Sequence, residues 1–498
     1  MVASIPVGSR DWTNWQGAVS VNDFSDADDP SVPTAEYWHQ TAKWEPVRAC
    51  LEGTAYIRAN ANRYLPQNPL ELDDAYRGRV SRSVYTPLFN KVLRVATGLI
   101  MRRPINLEGD TFWEEFATDV DRAGTGLDEF VRDRLYLSLA YGASSWLVDF
   151  PKGEGIRTLR DQTEAQLRPY FVPVDPWSVI GWRHDPRESN KLQQVRLREM
   201  AVVQKGRFGT EGKERVRVIE PTKYELWEKQ PNGWAPIESG PIAIGEIPLV
   251  TTYSGKIATL MSSPPMGELA QLSLAYYRVH SDLQQALHVA AQPILVLKGW
   301  DDQSDPAGMS VNNALVMPPE GDAKYVEPAS SAFDAQREEL EGLANAIKSL
   351  GMAILTEEKS GVESGKAKAL DRLDSNSLLS VVSVNLERTL QQSFDMAAAY
   401  MGMEPPVVSI DRDFDVEQVD GQMMTAVNTL FTSGLLDQET ALRILERGEL
   451  FDDTVDVEEV MARAETEQLE SMEQEMSKLE MQTEIAAKAA PQQAPPKG

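Results

Sequence analysis

The stretch from Ser263 to Met401 constrains the fold of this chain more than any other part of it. Its pattern predicts a long helix, a compact β-rich insert, a second helix, a loop that carries glycine and lysine, and a third long helix. This order leaves no room for a catalytic pocket and suits a ring subunit that forms part of a channel wall. An ordinary core of three amphipathic helices is an equally open alternative on the pattern alone.

The first two helices each carry a heptad-like apolar stripe, in which steps of three and four positions alternate. In the first helix the stripe consists of Leu269, Leu272, Tyr276, Val279, Leu283, Ala286 and Ala290. In the second helix it consists of Leu340, Leu343, Ile347, Leu350 and Ile354. A helix of about 25 residues is roughly 37 Å long, which is enough for the wall of a pore.

The rest of the chain is predicted to change from helices to strands ahead of the long helices and to become helical again after them. Helices are predicted at Glu45–Tyr64, Leu88–Met101, Phe112–Ala123 and Leu127–Ala140. Strands are predicted at Ala143–Phe150, Tyr170–Val174, Val179–Arg183, Gln193–Val203, Arg215–Ile219, Tyr224–Lys229 and Ile247–Tyr253, and within the insert at Ile294–Leu297 and Ala314–Met317. A short strand at Val407–Ile410 and a helix at Val416–Ser433 follow.

The charge of the chain bears on its relation to DNA. Among 498 residues, 76 Asp and Glu outnumber 49 Lys and Arg, for a net charge of −27. Such a protein repels phosphate, which argues against sequence-specific DNA binding. It suits a surface past which DNA slides, because each phosphate contact adds salt-dependent affinity and therefore drag.

The sequence offers no clear constellation for catalysis or metal binding. Cys50 is the only cysteine, so no intramolecular disulfide or thiolate cluster can form, which fits a reducing cytosol. Of the four histidines, His280 and His288 lie eight positions apart on one helix, too far to share a metal ion. We therefore expect no enzyme activity and no cofactor. The absence of an apolar run of 18 residues predicts no membrane span, and the polar start of the chain is not a signal peptide.

The segment Gly361–Lys366 resembles a phosphate-binding P-loop but does not satisfy it. That motif needs four residues between its glycines and Ser or Thr after the lysine. Here three residues separate Gly361 from Gly365, and Ala367 follows the lysine. We predict a flexible loop that uses both glycines as hinges and touches passing phosphate groups transiently. The lysines predicted to make these contacts are Lys359, Lys366 and Lys368.

The acidic segment after the third helix resembles the opening of a Ca²⁺-binding loop. Asp411, Asp413 and Asp415 have the right spacing, but Val416 and Gln422 stand where Gly and Glu are needed. The cage is therefore incomplete, and we interpret the segment as an edge strand or turn with a solvated acidic face. Weak Mg²⁺ binding by the three carboxylates remains an open alternative.

A series of short motifs follows in a fixed order over roughly residues 45 to 430. The motifs are Tyr85–Asn90, Gly98–Pro104, Tyr141–Gly142, Trp146–Pro151, Arg168–Val172, Trp177–Arg183 and Ile247–Val250. In this order they resemble the portal proteins of tailed bacteriophages, in particular a portal-like family often described only as a domain of unknown function. Each motif is moderately specific, and their order along the chain carries the resemblance.

The resemblance implies an α+β, mainly helical portal fold, with an α/β wing, long stem helices, a β-rich clip and a helical crown, in a subunit of a ring of about twelve copies. By position it implies an N-terminal arm at 1–44, the wing at 45–262, stem helices at 263–291 and 330–355, the clip at 292–329, a tunnel loop at 356–369, a long wing helix at 370–404, the crown at 405–455, and an acidic helix with a disordered tail at 456–498. The residues expected to pack the stem are Leu269, Leu272, Tyr276, Val279, Leu283, Leu340, Leu343 and Ile347.

The resemblance also implies a non-enzymatic function. A portal ring at one capsid vertex is the channel for DNA during packaging and ejection, and it binds the large terminase subunit and a head–tail adaptor or neck protein. The expected partners are other copies of the chain, the major capsid protein, those two proteins and double-stranded DNA in transit, without a membrane. The expected location is the virion, after assembly in the host cytoplasm. A metal-dependent enzyme acting on DNA and a capsid adaptor or scaffold that encloses no channel are the alternatives.

Overall fold

The computed structural model of the chain describes residues 29–151, 167–185, 187, 191–290, 294–298, 322–326, 330–355, 377–412, 429 and 431. The chain divides into two compact units, Met1–Arg412 and Asp413–Gly498. The described architecture belongs to the first unit and is a mixture of helices and antiparallel sheets. The predicted α+β class is thus confirmed.

Within the described residues, seven α-helices precede or interrupt the first strands. They are α1 Ala35–Glu52, α2 Thr54–Ala59, α3 Ala61–Tyr64, α4 Asp73–Arg82, α5 Leu88–Ile100, α6 Thr111–Thr118 and α7 Leu127–Tyr141. The helix predicted from Glu45 begins ten positions earlier, so the expected boundary between arm and wing falls within α1, where Trp44 is buried. The same predicted helix is divided at Gly53, whose positive φ of 70° ends α1.

Helix α6 ends at Thr118, five positions before the predicted end at Ala123. The reason is local competition for backbone N–H groups. The Asp121 carboxylate accepts hydrogen bonds from the N–H groups of Ala123 (2.8 Å) and Thr125 (3.2 Å). These bonds stabilise a turn in place of another helical turn.

Fourteen strands are described. They are β1 Asn106–Glu108, β2 Ala143–Asp149, β3 Tyr170–Val174, β4 Val179–Asp185, β5 Lys191–Lys205, β6 Gly209–Ile219, β7 Lys223–Gln230, β8 Gly233–Pro241, β9 Leu249–Tyr253, β10 Lys256–Ala258, β11 Met261–Ser262, β12 Ile294–Lys298, β13 Asp322–Val326 and β14 Val407–Ser409. Strands β2–β7, β9, β12 and β14 lie where the sequence predicts strands, whereas β1, β8, β10, β11 and β13 were not predicted.

Two antiparallel sheets dominate. One has the order β3-β2-β9 and the other the order β4-β5-β6-β7-β8. Every described strand pair is antiparallel, including the short pairs β1–β14, β10–β11 and β12–β13. The expected α/β wing is therefore wrong in the strict sense, since the described residues between 45 and 262 form helices and antiparallel sheets.

Three long helices complete the described fold: α8 Gly267–Ala290, α9 Ser330–Leu355 and α10 Ser377–Met401. Helix α10 packs on the three-stranded sheet, where the indole N–H of Trp146 donates a 3.0 Å hydrogen bond to the Ser393 hydroxyl. Beside it, the ring of Phe394 lies 5.5 Å from Trp113 and 5.9 Å from Phe171. This buried aromatic cluster fixes α10 against the sheet.

The turn that leads into α8 is held by a glycine. Gly142 has a φ of 88° and its carbonyl oxygen accepts the N–H groups of Ser254 (3.1 Å) and Gly255 (3.0 Å). A Cβ atom on Gly142 would collide with the carbonyl group of Ser263. The end of α7 and the start of α8 are thereby fixed close together, and only glycine fits between them.

Candidate functional site on the long helices

The candidate site is the unit formed by α8, the strand pair β12–β13 and α9. Helix α8 has 24 residues and α9 has 26, so they are about 36 and 39 Å long. The two helices pack against each other, and β12 pairs with β13 from Ile294↔Val326 to Lys298↔Asp322. The predicted helices and first strand are confirmed. The strand predicted at Ala314–Met317 lies outside the described residues, and β13 is the partner of β12.

Helix α8 buries a face different from its predicted stripe. Leu269 and Leu283 are buried as expected, but Leu272, Tyr276 and Val279 are only half-buried. The other buried positions on this face are Ala270, Ser273, Leu274, Tyr277 and Ser281. The single chain thus covers one face of α8 and leaves an apolar neighbouring face partly open to another molecule.

Helix α9 is packed along only one narrow seam. Leu340 and Ile347 are buried, Leu343 is half-buried, and most of the remaining described positions are exposed. At Gly351 the helix approaches α5 so closely that a Cβ atom would lie 2.9 Å from Val92 Cγ2. A long helix with so narrow a packed stripe needs other partners to bury more of its surface.

The exposed side of α9 is acidic. Glu338, Glu339 and Glu341 are all exposed near its middle. Carboxylates at these positions repel the phosphates of a nucleic acid, and they keep the helix soluble where it has no packing partner.

A buried ion pair between Arg79 and Glu71 lies beside α8 and contacts it through one half-exposed carboxylate. The Arg79 guanidinium, only 3% exposed, donates hydrogen bonds to both carboxylate oxygens of Glu71 (2.8 and 2.7 Å) and to the Pro66 carbonyl oxygen (2.9 Å). Its third nitrogen lies 3.4 Å from the Asp282 carboxylate on α8. The bonds from Arg79 hold the pKa of Glu71 below its usual value, whereas burial raises the pKa of Asp282.

Two further contacts join α4 and the residue after it to α8 and form, with Arg79 and Asp282, what we call the clamp. The hydroxyl groups of Ser83 and Ser281 share a buried hydrogen bond of 2.6 Å, and the Arg82 side chain bonds to Gln285. Residues of α4 and the turn after it therefore contact three positions of α8, in steps of one or three residues. The sequence pattern does not predict α4, because its ten residues carry many charges and no apolar stripe. The one signal for it is the pair of Glu71 and Arg79, which is hard to recognise among so many charged residues.

Cys50 is not suited to nucleophilic chemistry. It is buried, its thiol lies 3.5 Å from the Ala270 carbonyl oxygen, and burial raises its pKa to about 12. A thiol with that pKa is protonated at neutral pH, and only the thiolate is a strong nucleophile. Its role here is to pack α1 against α8.

Most of the predicted loop and metal-binding residues lie outside the described residues. These are Lys359, Gly361, Gly365, Lys366, Lys368, Asp413 and Asp415. Asp411 is described, and its carboxylate forms an ion pair with the Arg103 guanidinium at 2.6 Å. Within the described ranges, no group of three or more His, Cys, Asp or Glu side chains is arranged to hold a metal ion. Among the helices of those ranges, none is both long and apolar enough to cross a membrane.

One comparison with known proteins concerns the long helices. The family model described as a domain of unknown function (DUF4055) matches residues 265–401, from just before α8 to the last residue of α10. A search of curated proteins finds no match.

Among solved structures, the chain is similar to one from the neck of an empty GTA particle computed with C6 symmetry. The two are 13% identical, with a TM-score of 0.38 over 76% of this chain and 94% of the other. The chain is also similar to one from the virion of a native gene transfer agent (GTA) particle, with 13% identity and a TM-score of 0.37 over 75% and 94%. A third similar chain comes from the neck of the native GTA particle computed with C12 symmetry, with 14% identity and a TM-score of 0.36 over 72% and 89%.

Proposed function

We propose that the chain is the subunit of a portal ring, of about twelve copies, at one vertex of a phage-type capsid. The observation that carries the proposal is the unit of α8, β12–β13 and α9, in which two helices of about 36 and 39 Å lie together and leave apolar and acidic surface uncovered. The order of motifs along the sequence supports the same interpretation.

In this proposal the half-buried face of α8 packs against a neighbouring copy. Leu272, Tyr276 and Val279 follow one another at helical spacing on that face. Burial of apolar surface at about 25 cal/mol per Å² makes such a face a driving force for association. Four of the other predicted stem residues are buried within one chain. They are Leu269 and Leu283 on α8 and Leu340 and Ile347 on α9.

Double-stranded DNA passes through the channel of the ring without being bound tightly. The net charge of −27 and the exposed glutamates of α9 keep phosphate groups away from most of the surface. Lys359, Lys366 and Lys368, on a loop with Gly361 and Gly365 as hinges, make the transient contacts with the DNA backbone. Such a ring conducts DNA in packaging and ejection and catalyses no reaction.

The partners in this proposal are those that the resemblance to portal proteins implies. The region around β12–β13, at the end of the helix pair, binds the large terminase subunit and later the head–tail adaptor or neck protein. The parts outside the helix pair contact the major capsid protein. The protein is assembled in the host cytoplasm and functions in the virion.

Mass measurement together with electron microscopy tests the ring. We expect the purified full chain to form closed rings of about twelve copies with a central hole. A Val279→Glu variant should assemble much less well, because a carboxylate then faces the neighbouring copy, while the matched Ile257→Glu variant at an exposed site should assemble normally. An assembly of many copies without a hole would favour an adaptor or scaffold, and assembly unchanged by Val279→Glu would refute the role of this face.

Replacing Lys359, Lys366 and Lys368 together by alanine tests the loop. The variant rings should form at normal mass and package or retain less DNA, since the contacts with phosphate are lost. Unchanged packaging would refute the proposed contacts. A nuclease or ATPase activity that survives purification and disappears in Asp413→Ala would favour the enzymatic alternative.

A further inference from the structure

Strands β5 and β6 project from the five-stranded sheet as a two-stranded ribbon (residues 200–214). This ribbon, and not the N-terminal segment 1–44, is called the arm. Their pairing runs from Val195↔Ile219 to Lys205↔Gly209, but β4 pairs with β5 only as far as Leu197 and β7 pairs with β6 only from Arg215. Six residue pairs at the tip therefore have no further strand beside them, and they extend about 20 Å. A two-stranded ribbon of this kind is only marginally stable by itself, so contacts with another molecule would stabilise it.

The tip of the arm is aromatic and basic. Phe208 is 88% exposed, and the Arg207 guanidinium lies over its ring at 5.0 Å. Lys205 lies beside them and is paired with Glu211 (3.3 Å), and Gly206, with a φ of 68°, makes the tight turn. An exposed aromatic ring together with an arginine is the combination of side chains that is enriched at protein interfaces.

A second exposed feature of the same chain has the opposite character. At the start of α4 lies a segment that we call the knuckle (residues 70–74), in which Leu70 is 96% exposed and Leu72 is 78% exposed. Asp73 and Asp74, the first residues of α4, are exposed as well, and Asp74 lies 3.1 Å from Arg77 on the same helix. The knuckle therefore combines open apolar side chains with negative charge.

The knuckle is held rigid from inside. The Glu71 side chain accepts hydrogen bonds from Arg79 and from the N–H of Asn68 (3.1 Å), and Gln67 donates a 2.8 Å bond to the Glu71 carbonyl oxygen. A rigid loop loses little conformational entropy on binding, so its exposed leucines are preorganised to receive a partner.

From these observations we propose that the tip of the arm in one copy binds the knuckle of the next copy in the ring, with Phe208 against Leu70 and Leu72 and with Arg207 facing Asp74. This inference rests on the proposed ring. Because both features stand open in the described structure, a contact between copies covers both at once. A contact of two different surfaces is heterologous and can close into a ring. Copies that each carry a net charge of −27 repel one another, so a local pair of opposite charges also sets their register.

Cysteine cross-linking tests the contact directly, since Cys50 is buried and leaves introduced cysteines as the reactive ones. The full-length F208C/L70C variant should form, on oxidation, a ladder of covalent oligomers up to the size of the ring, because a disulfide requires Cα atoms within about 7 Å. A mixture of the single variants F208C and L70C should give a cross-linked dimer containing one of each. The matched control I237C/L70C, with a half-exposed position on β8, should cross-link at least about tenfold less.

Charge reversal gives an independent test. Arg207→Glu and Asp74→Arg should each raise the concentration needed for half-maximal assembly about tenfold, and the two together should restore it to within about threefold. Lys256→Glu, at an exposed site on β10, is the control and should have no effect.

The possible outcomes distinguish failure of the proposed contact from failure of the proposed ring. The mass of each sample is measured before oxidation. Wild-type rings without cross-links in F208C/L70C, cross-links only within one chain, or no rescue by the double charge reversal would overturn the proposed contact and leave the ring intact. Wild-type protein that forms neither rings nor cross-links at any concentration would overturn both.

Discussion

Replacing Arg79 by alanine should destabilise the protein by about 3–5 kcal/mol, the range for breaking a buried ion pair. The Glu71 carboxylate, 9% exposed, would lose both of its hydrogen bonds from the guanidinium and remain buried as an uncompensated charge. The contact with Asp282 adds little, because that carboxylate is 49% exposed and screened by solvent. The Pro66 carbonyl oxygen would also lose a partner.

The same helix provides the control. Arg77 is 74% exposed and lies 3.1 Å from Asp74, whose side chain is 98% exposed. Removing this surface partner by Arg77→Ala should cost less than about 1 kcal/mol. Both substitutions remove an arginine from α4, so the difference between them reports burial and not the helix propensity of arginine.

The pH dependence of stability gives a second signature of the Arg79–Glu71 pair. Hydrogen bonding by Arg79 lowers the pKa of Glu71 in the folded protein. The stabilisation is therefore present above the unfolded pKa of about 4.3 and is lost as pH falls through the lower folded value. In Arg79→Ala this component should disappear, so the difference between wild type and variant should shrink as the pH falls below about 4.

Denaturant titration followed by tryptophan fluorescence measures the loss, and hydrogen exchange in α4 and α8 locates it, since a chain of this size need not unfold in one step. We expect faster exchange in α4, because Glu71 and Pro66 lose their partner there, and a smaller effect in α8, which Arg79 reaches only through Asp282. A loss below about 1 kcal/mol, equal to that of Arg77→Ala, would refute the interpretation of Arg79–Glu71 as a buried ion pair that stabilises α4 and the turn before it.

Three further predictions concern positions whose environment the structure defines. Gly142→Ala should cost several times more stability than Gly53→Ala, since both have positive φ but only the first would meet backbone atoms, as compared by thermal unfolding. Ser393→Ala should cost about 1–3 kcal/mol in denaturant titration, because the buried indole N–H of Trp146 loses its acceptor. Cys50, with a pKa raised to about 12 by burial, should react with a thiol reagent at pH 8 at least about 100-fold more slowly in the folded than in the unfolded protein; equal rates would contradict the burial.

Apolar periodicity allowed the long elements to be predicted. Helices α8 and α9 and strands such as β2 and β5 carry enough regularly spaced apolar residues to identify both their type and their approximate bounds. Helix α4 and strand β8 carry no such pattern, because the first is charged on most sides and the second contains two Gly and two Pro among nine residues. Both form because their neighbours hold them, α4 through Arg79 and β8 through its pairing with β7.

The buried faces were harder to predict than the elements. Two adjacent tyrosines on α8 show why. The heptad-like stripe selected Tyr276, but the chain buries Tyr277 and leaves Tyr276 half-buried beside His280. The spacing of apolar residues predicts that a helix has an apolar side. Which part of that side becomes buried depends on elements that are distant in sequence. The clamp residues Arg79 and Asp282, 203 positions apart, could not be paired from sequence for the same reason.

The contrast between α9 and α10 connects the fold with the proposed function. The two helices have similar lengths, 26 and 25 residues, and both are amphipathic. Helix α10 buries a broad face that includes Leu386, Leu390 and Phe394, whereas α9 buries only a narrow seam. A chain that folded only for its own stability would not leave a helix of about 39 Å so little covered. The half-buried face of α8, together with the uncovered surface of α9 away from its exposed glutamates, is therefore where we expect copies of the chain to meet.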